Sequence, residues 1–129
     1  MRNLKRKSAL AIATACFLIG AIGAIGAADA AGAFAVGACG AFGYGFDFRK
    51  VADARIAAMK RCTGRDCRVV GVIRRGCAAM SVDARHPCGP YGWALNSHLG
   101  RAENAAMRRC TQFGGHQCVV RAWACDEKG

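Results

Sequence analysis

The chain has 129 residues, enough for one domain. Its 53% hydrophobic content, 21% charged content and 2 prolines exclude a disordered tail, a collagen-like repeat and a Pro-rich linker. Nineteen Lys and Arg against 8 acids give a formal charge of +11, and nine cysteines ask for disulfides or a metal.

Residues 1–30 read as a secretory signal peptide. Arg2, Lys5, Arg6 and Lys7 form a basic start, Ser8 to Ile25 is uncharged, and Ala28-Asp29-Ala30 offers small residues for cleavage. An uncleaved anchor is the competing reading, because the uncharged run approaches membrane-spanning length. Its Ala/Gly-rich composition gives little apolar drive. A lipoprotein reading fails at Cys16, where Ala13-Thr14-Ala15 lacks a Leu. Cleavage leaves 31–129 as a single exported domain, periplasmic or secreted. It keeps fifteen basic and seven acidic residues, a formal +8, and eight cysteines, an even number suited to full pairing.

This domain repeats itself, about 33–77 and about 78–125. Ala57-Ala58-Met59-Lys60-Arg61-Cys62-Thr63 recurs as Ala105-Ala106-Met107-Arg108-Arg109-Cys110-Thr111, identical at six of seven positions. Tyr44-Gly45-Phe46 is matched with Tyr91-Gly92-Trp93, and Cys67-Arg68-Val69-Val70 with Cys118-Val119-Val120. Each unit reads strand, strand, helix, strand. The opening strands fall at Ala33–Val36 and Ala78–Val82, and the aromatic second strands at Gly43–Phe46 and Tyr91–Ala94. The helices run over about 50–62 and 100–110, and the closing strands over Cys67–Ile73 and Gln117–Ala124. Ala54, Ala58 and Cys62, like Ala102, Ala106 and Cys110, recur every fourth residue and give each helix a narrow small-residue face. Asp47 and Ser97 are candidate N-caps. The expected fold is α+β, tandem units sharing one antiparallel sheet. The Gly-Ala stretch 31–45 is no phosphate loop: no strand precedes it and no Lys-Ser/Thr follows.

Eight cysteines allow 105 connectivities. Short reversing loops favour Cys62–Cys67 and Cys110–Cys118. Pairing equivalents across a pseudo-twofold axis then gives Cys77–Cys125 and Cys39–Cys88, both expected to cross-link the halves. Zinc spacing is poor, since Cys110 and Cys118 lie too far apart, and an oxidising compartment disfavours free thiolates. No metal and no cofactor is expected.

The order Cys62, Cys67-Arg68-Val69-Val70, Cys77-Ala78-Ala79, Ala105-Ala106-Met107 and Trp123-Ala124-Cys125 resembles the bacterial secreted family called domain of unknown function 4189. The resemblance covers essentially all of 31–129. It implies a small exported protein with the duplicated unit and, by the role proposed for some members, atypical peptidoglycan binding. It carries over no catalytic residue. Cys39 and Cys88 are additional to that pattern and point to greater rigidity or an altered surface.

The candidate ligand-binding residues are Tyr44, Phe46, Tyr91, Trp93, Arg61 and Arg109. The aromatics of each pair point to one side of their strand. An open side would make a saccharide or peptide groove; a closed side would make core, which so small a domain favours. The paired cations at the helix ends either complement the helix dipole or bind polyanions. Trp123 reads as core against a disulfide. His86, His98 and His116 are not spaced for a metal, do not recur in the repeat, and lend only a remote ribonuclease-like reading as a cryptic basic hydrolase. The expectation is a non-catalytic envelope-binding module, with peptidoglycan or another anionic envelope polymer as ligand. The alternative is an inhibitor or effector docking on an exported protein. Nucleic acid is not an expected partner, and no membrane span is expected after cleavage.

Overall fold

The computed structural model describes residues 30–126, so the signal-peptide assignment and Cys16 lie outside the described residues. The first half contains β1 (Ala31–Val36), a 3-10 turn (Ala38–Gly40), β2 (Phe42–Phe48), α1 (Val51–Arg61) and β3 (Arg68–Ile73). The second contains β4 (Gly76–Asp83), β5 (Tyr91–Asn96), α2 (Leu99–Gln112) and β6 (Cys118–Asp126). The halves do not share a sheet, contrary to the sequence expectation. Each builds its own antiparallel three-stranded sheet, β2-β1-β3 and β5-β4-β6. Instead of joining edge to edge, the halves pack face to face: the central strands β1 and β4, paired on both sides and buried along their length except at the first residue of β4, share one apolar core.

Side-chain size sorts the layers. Phe34 and Val36 on β1 and Met80 and Val82 on β4 point between the sheets, where they form the main core with Ile73, Ala78, Ala122 and Ala124. The alternate residues are small and face the helices: Ala33 and Ala35 meet Ala54 and Ala58 of α1, and Ala79 and Ala94 meet Ala102 and Ala106 of α2. The result is a sandwich of two sheets with one helix on each outer side. β2 lies over β6. β3 lies over β5, where Gly71 approaches Leu95.

The glycines of the aromatic strands are fitted to the helices. A Cβ on Gly43 would stand 2.2 Å from the Ala58 carbonyl oxygen, and one on Gly92 would stand 2.2 Å from that of Ala106. The helices thus rest on strand backbone, a close approach only glycine permits.

The strand registers correct the aromatic alignment by two residues. Phe34 pairs with Tyr44 and Gly71, and Met80 pairs with Trp93 and Ala122. The structural counterpart of Tyr91-Gly92-Trp93 is therefore Phe42-Gly43-Tyr44, and Phe46 corresponds to Leu95. Repeated Gly-aromatic alternation fits both alignments in sequence; the strand register selects one.

The disulfides are Cys39–Cys88, Cys62–Cys67, Cys77–Cys125 and Cys110–Cys118, accounting for every described cysteine. Cys39–Cys88 joins the halves, from the 3-10 turn to the β4–β5 connection. Cys77–Cys125 does not, contrary to expectation. Cys77 sits on β4 directly opposite Cys125 of β6, so the bridge lies within one sheet. Residue 77 thus lies in β4, the central strand of the second sheet.

The expected N-caps are also displaced. Lys50 and His98 occupy the cap positions, and neither side chain bonds the helix. Asp47 lies inside β2 at a φ of 57°. Ser97 donates to the Asn96 carboxamide oxygen at 3.4 Å, and that oxygen also accepts the His98 backbone N–H at 3.1 Å. Trp123 is 54% exposed rather than core. It lies on the helix-side face of β6, whereas α2 covers mainly β5 and β4.

Asp83, buried at the end of β4, clamps two connections. Its carboxylate accepts the His116 backbone N–H at 2.9 Å and that of Arg85 at 2.9 Å. Those bonds, His116's foremost, hold its pKa below the ordinary 3.8. A lowered folded pKa contributes stability at neutral pH that is lost as pH falls through the folded value. Asp83→Asn is therefore expected to be less stable than the parent at neutral pH, with the gap closing in strong acid. Urea titrations across the acid range check this; a gap independent of pH would contradict it.

Candidate functional site

The structure divides the six candidate residues between opposite edges of the sandwich. Tyr91, Trp93 and Arg109 come together at the β5–β3 edge. Tyr44, Phe46 and Arg61 lie at the β2–β6 edge. The aromatics are half-buried: each packs against the inter-sheet core and also lines a groove. Neither the closed nor the fully open alternative describes them, because edge strands cover one side of a ring and leave the other to solvent.

The β5–β3 groove has a volume of about 520 Å³. The Arg109 guanidinium lies 5.2 Å from the centre of the Trp93 ring, and its Nη1 donates to the Trp93 carbonyl at 2.6 Å. This is a cation–π contact in which a backbone bond fixes the guanidinium's position. Opposite, Arg68 Nη2 donates to the Tyr91 hydroxyl at 3.4 Å. Pro90, Gln112 and Phe113 complete the wall, and Phe113 is 69% exposed.

The β2–β6 edge repeats the central part of this arrangement. Arg61 Nη1 donates to the Tyr44 carbonyl at 2.8 Å, the position equivalent to Trp93. Phe42, Tyr44 and Phe46 form a row of rings, with centroids 6.5 Å and then 4.9 Å apart. Phe42, Tyr44, Arg61, Arg65 and Arg121 line one groove of about 500 Å³. Tyr44 and Phe46 also line a neighbouring groove of about 510 Å³ with Trp123, Asp47 and Asp126. Arg61 and Arg109 thus do more than sit at helix ends: both are held by hydrogen bonds to the aromatic strands.

Sequence reasoning missed Phe42, Arg68, Phe113 and Arg121. Phe42 was concealed by the shifted alignment. Phe113 follows the helix just beyond the repeated segment, and the partners of Arg68 and Arg121 depend on how the sheets face one another. His86, His98 and His116 are exposed and belong to none of these grooves. Among the described residues, no group of three His, Cys, Asp or Glu is placed to hold a metal ion. Among them, too, no helix is long and apolar enough to cross a membrane.

Among curated proteins, none matches the sequence. The NMR structure of Rv1813c from Mycobacterium tuberculosis is similar in fold, with a TM-score of 0.51, 22% identity and 98% of each chain covered. The disulfide-stapled two-sheet domain coincides with the segment matched by the family Domain of unknown function (DUF4189), residues 31–125, and the chain belongs to that family.

Proposed function

We propose that this is a non-catalytic, exported binding module of the cell envelope that takes an anionic saccharide polymer, peptidoglycan first, in the grooves at its two edges. The same reading makes the two halves copies of one duplicated unit and residues 1–30 the signal that exports them. The observation that carries it is the repeated bond from a helix-end arginine to the carbonyl of an aromatic strand residue, Arg109 to Trp93 and Arg61 to Tyr44, joined at Trp93 by a cation–π contact. An aromatic face offers a platform for the apolar side of a sugar ring, with Tyr and Trp adding a polar edge. A guanidinium already fixed at a carbonyl meets a carboxylate with little further loss of freedom. The formal +8 of residues 31–129 draws polyanions to the site.

Sedimentation with purified cell-wall sacculi tests the reading. The protein is expected in the pellet, with Arg109→Ala weakening binding about tenfold, the loss of one charge-assisted contact. Protein that stays in the supernatant at low salt would end the proposal. Binding abolished by moderate salt and indifferent to Arg109→Ala would reduce it to charge attraction.

The exposed Phe113 favours a second reading, docking on another exported protein, since a protruding aromatic beside arginines suits an interface anchor. A single stoichiometric partner recovered from periplasmic extract, and lost with Phe113→Ala, would select it.

A further inference from the structure

The two helices use the same buried face and differ on the other. In α1, Ala54 and Ala58 are buried against the first sheet. The opposite side carries Ala52, Ile56 and Met59 at i, i+4 and i+7, one stripe along the helix. Ile56 is 54% exposed and Met59 39%. Arg55 borders the stripe on one side and Lys60 on the other, and Arg49 and Lys50 stand at the helix start; all four are exposed. Asp53 is the acid of this helix.

In α2 the positions equivalent to Ala52, Ile56 and Arg55 are Gly100, Asn104 and Glu103, while Met59 has a counterpart in the half-buried Met107. The outer side of α2 thus keeps one half-buried methionine among polar residues, while α1 presents an exposed isoleucine and an exposed methionine together. Packing does not require the difference, because both helices bury alanines in the same manner.

We infer that the solvent face of α1 is a docking surface for an anionic phospholipid bilayer. A short apolar stripe between cations is the arrangement of an interfacial helix: the side chains enter the headgroup boundary while lysine and arginine meet the lipid phosphates. Charge complementarity selects this occupant. Two exposed apolar side chains are also far too few for the apolar centre of a lasting dimer, which buries more than 1,000 Å² in all. Because α1 lies on the outer side of the first sheet, docking leaves the grooves at both edges free. The inference does not depend on what those grooves bind.

Co-sedimentation of the 31–129 chain, oxidised, with phosphatidylcholine vesicles containing or lacking phosphatidylglycerol tests it. The chain is expected to pellet only with the anionic vesicles. The exposed double substitution Ile56→Ser with Met59→Ser should weaken partitioning at least about tenfold. Lys60→Gln should weaken it about fivefold. Met107→Ser on α2 should leave it unchanged. Equal binding by the Ile56/Met59 variant would overturn the inference, as would an equal loss from Met107→Ser. So would a lipid-free dimer that the double substitution dissolves, which would make the occupant a second copy.

Discussion

Replacing Gly92 by alanine is expected to destabilise the domain by about 3 kcal/mol, the upper part of the range for overpacking a well-filled core. The added methyl would meet the Ala106 carbonyl oxygen at 2.2 Å and the Cys110 backbone nitrogen at 2.5 Å. Both are helix backbone, so no side chain can rotate aside; α2 itself must lift from β5. Lifting it separates Ala94 from Ala102 and Ala106, and pulls on Cys110, which is bridged to Cys118. Gly43→Ala should behave alike against α1, where the distances to Ala58 and Cys62 are the same. Gly100→Ala supplies the contrast. Nothing stands within 4 Å of its added methyl, and the residue is inside a helix. Alanine there should stabilise by about 0.5 kcal/mol through the lower entropy of the unfolded chain. Thermal and urea denaturation of the three variants would check these signs; a Gly92→Ala protein as stable as the parent would refute the close helix contact.

Removing disulfides should divide them into two classes. The bridges Cys39–Cys88 and Cys77–Cys125 close segments of 49 and 48 residues, whereas Cys62–Cys67 and Cys110–Cys118 close 5 and 8. In the chain-entropy account, loss of either long bridge costs about 4 kcal/mol and loss of either short one about 2 kcal/mol. Paired Cys→Ser variants in urea report the difference directly. Equal losses from Cys39→Ser/Cys88→Ser and Cys62→Ser/Cys67→Ser would show that native packing around the sulfurs, not the unfolded chain, sets the scale. For a domain near one hundred residues, either long-bridge loss is a large share of total stability.

The parts of the fold legible in sequence are those governed by local rules. Helix faces showed in the four-residue recurrence of Ala54, Ala58 and Cys62, and the closing strands in their valine pairs. The short loops pointed to Cys62–Cys67 and Cys110–Cys118 for a sound physical reason. The symmetry that suggests Cys77–Cys125 is not the one in the strand registers, where Cys77 corresponds to Ala31 and not to Cys125. Illegible in principle was how the two sets of strands meet. Alternation tells that Phe34 and Met80 point away from their helices, but not whether they enter one sheet or face each other from two. That same unknown hides the meeting of Arg68 and Tyr91, while the exposure of Trp123 depends on which strands α2 covers. The candidate site was half legible: Arg61, Tyr44, Trp93 and Arg109 were identifiable by type and recurrence. Their division between two edges follows from sheet stacking alone.

The Cys39–Cys88 bridge has a consequence for how a long ligand would be held. It ties one half to the other, beside a core that already packs the sheets together, so the grooves at the two edges keep a fixed separation. A polymer able to occupy both would meet the second groove at a high effective concentration, gaining avidity that a fragment too short to span the sandwich cannot have.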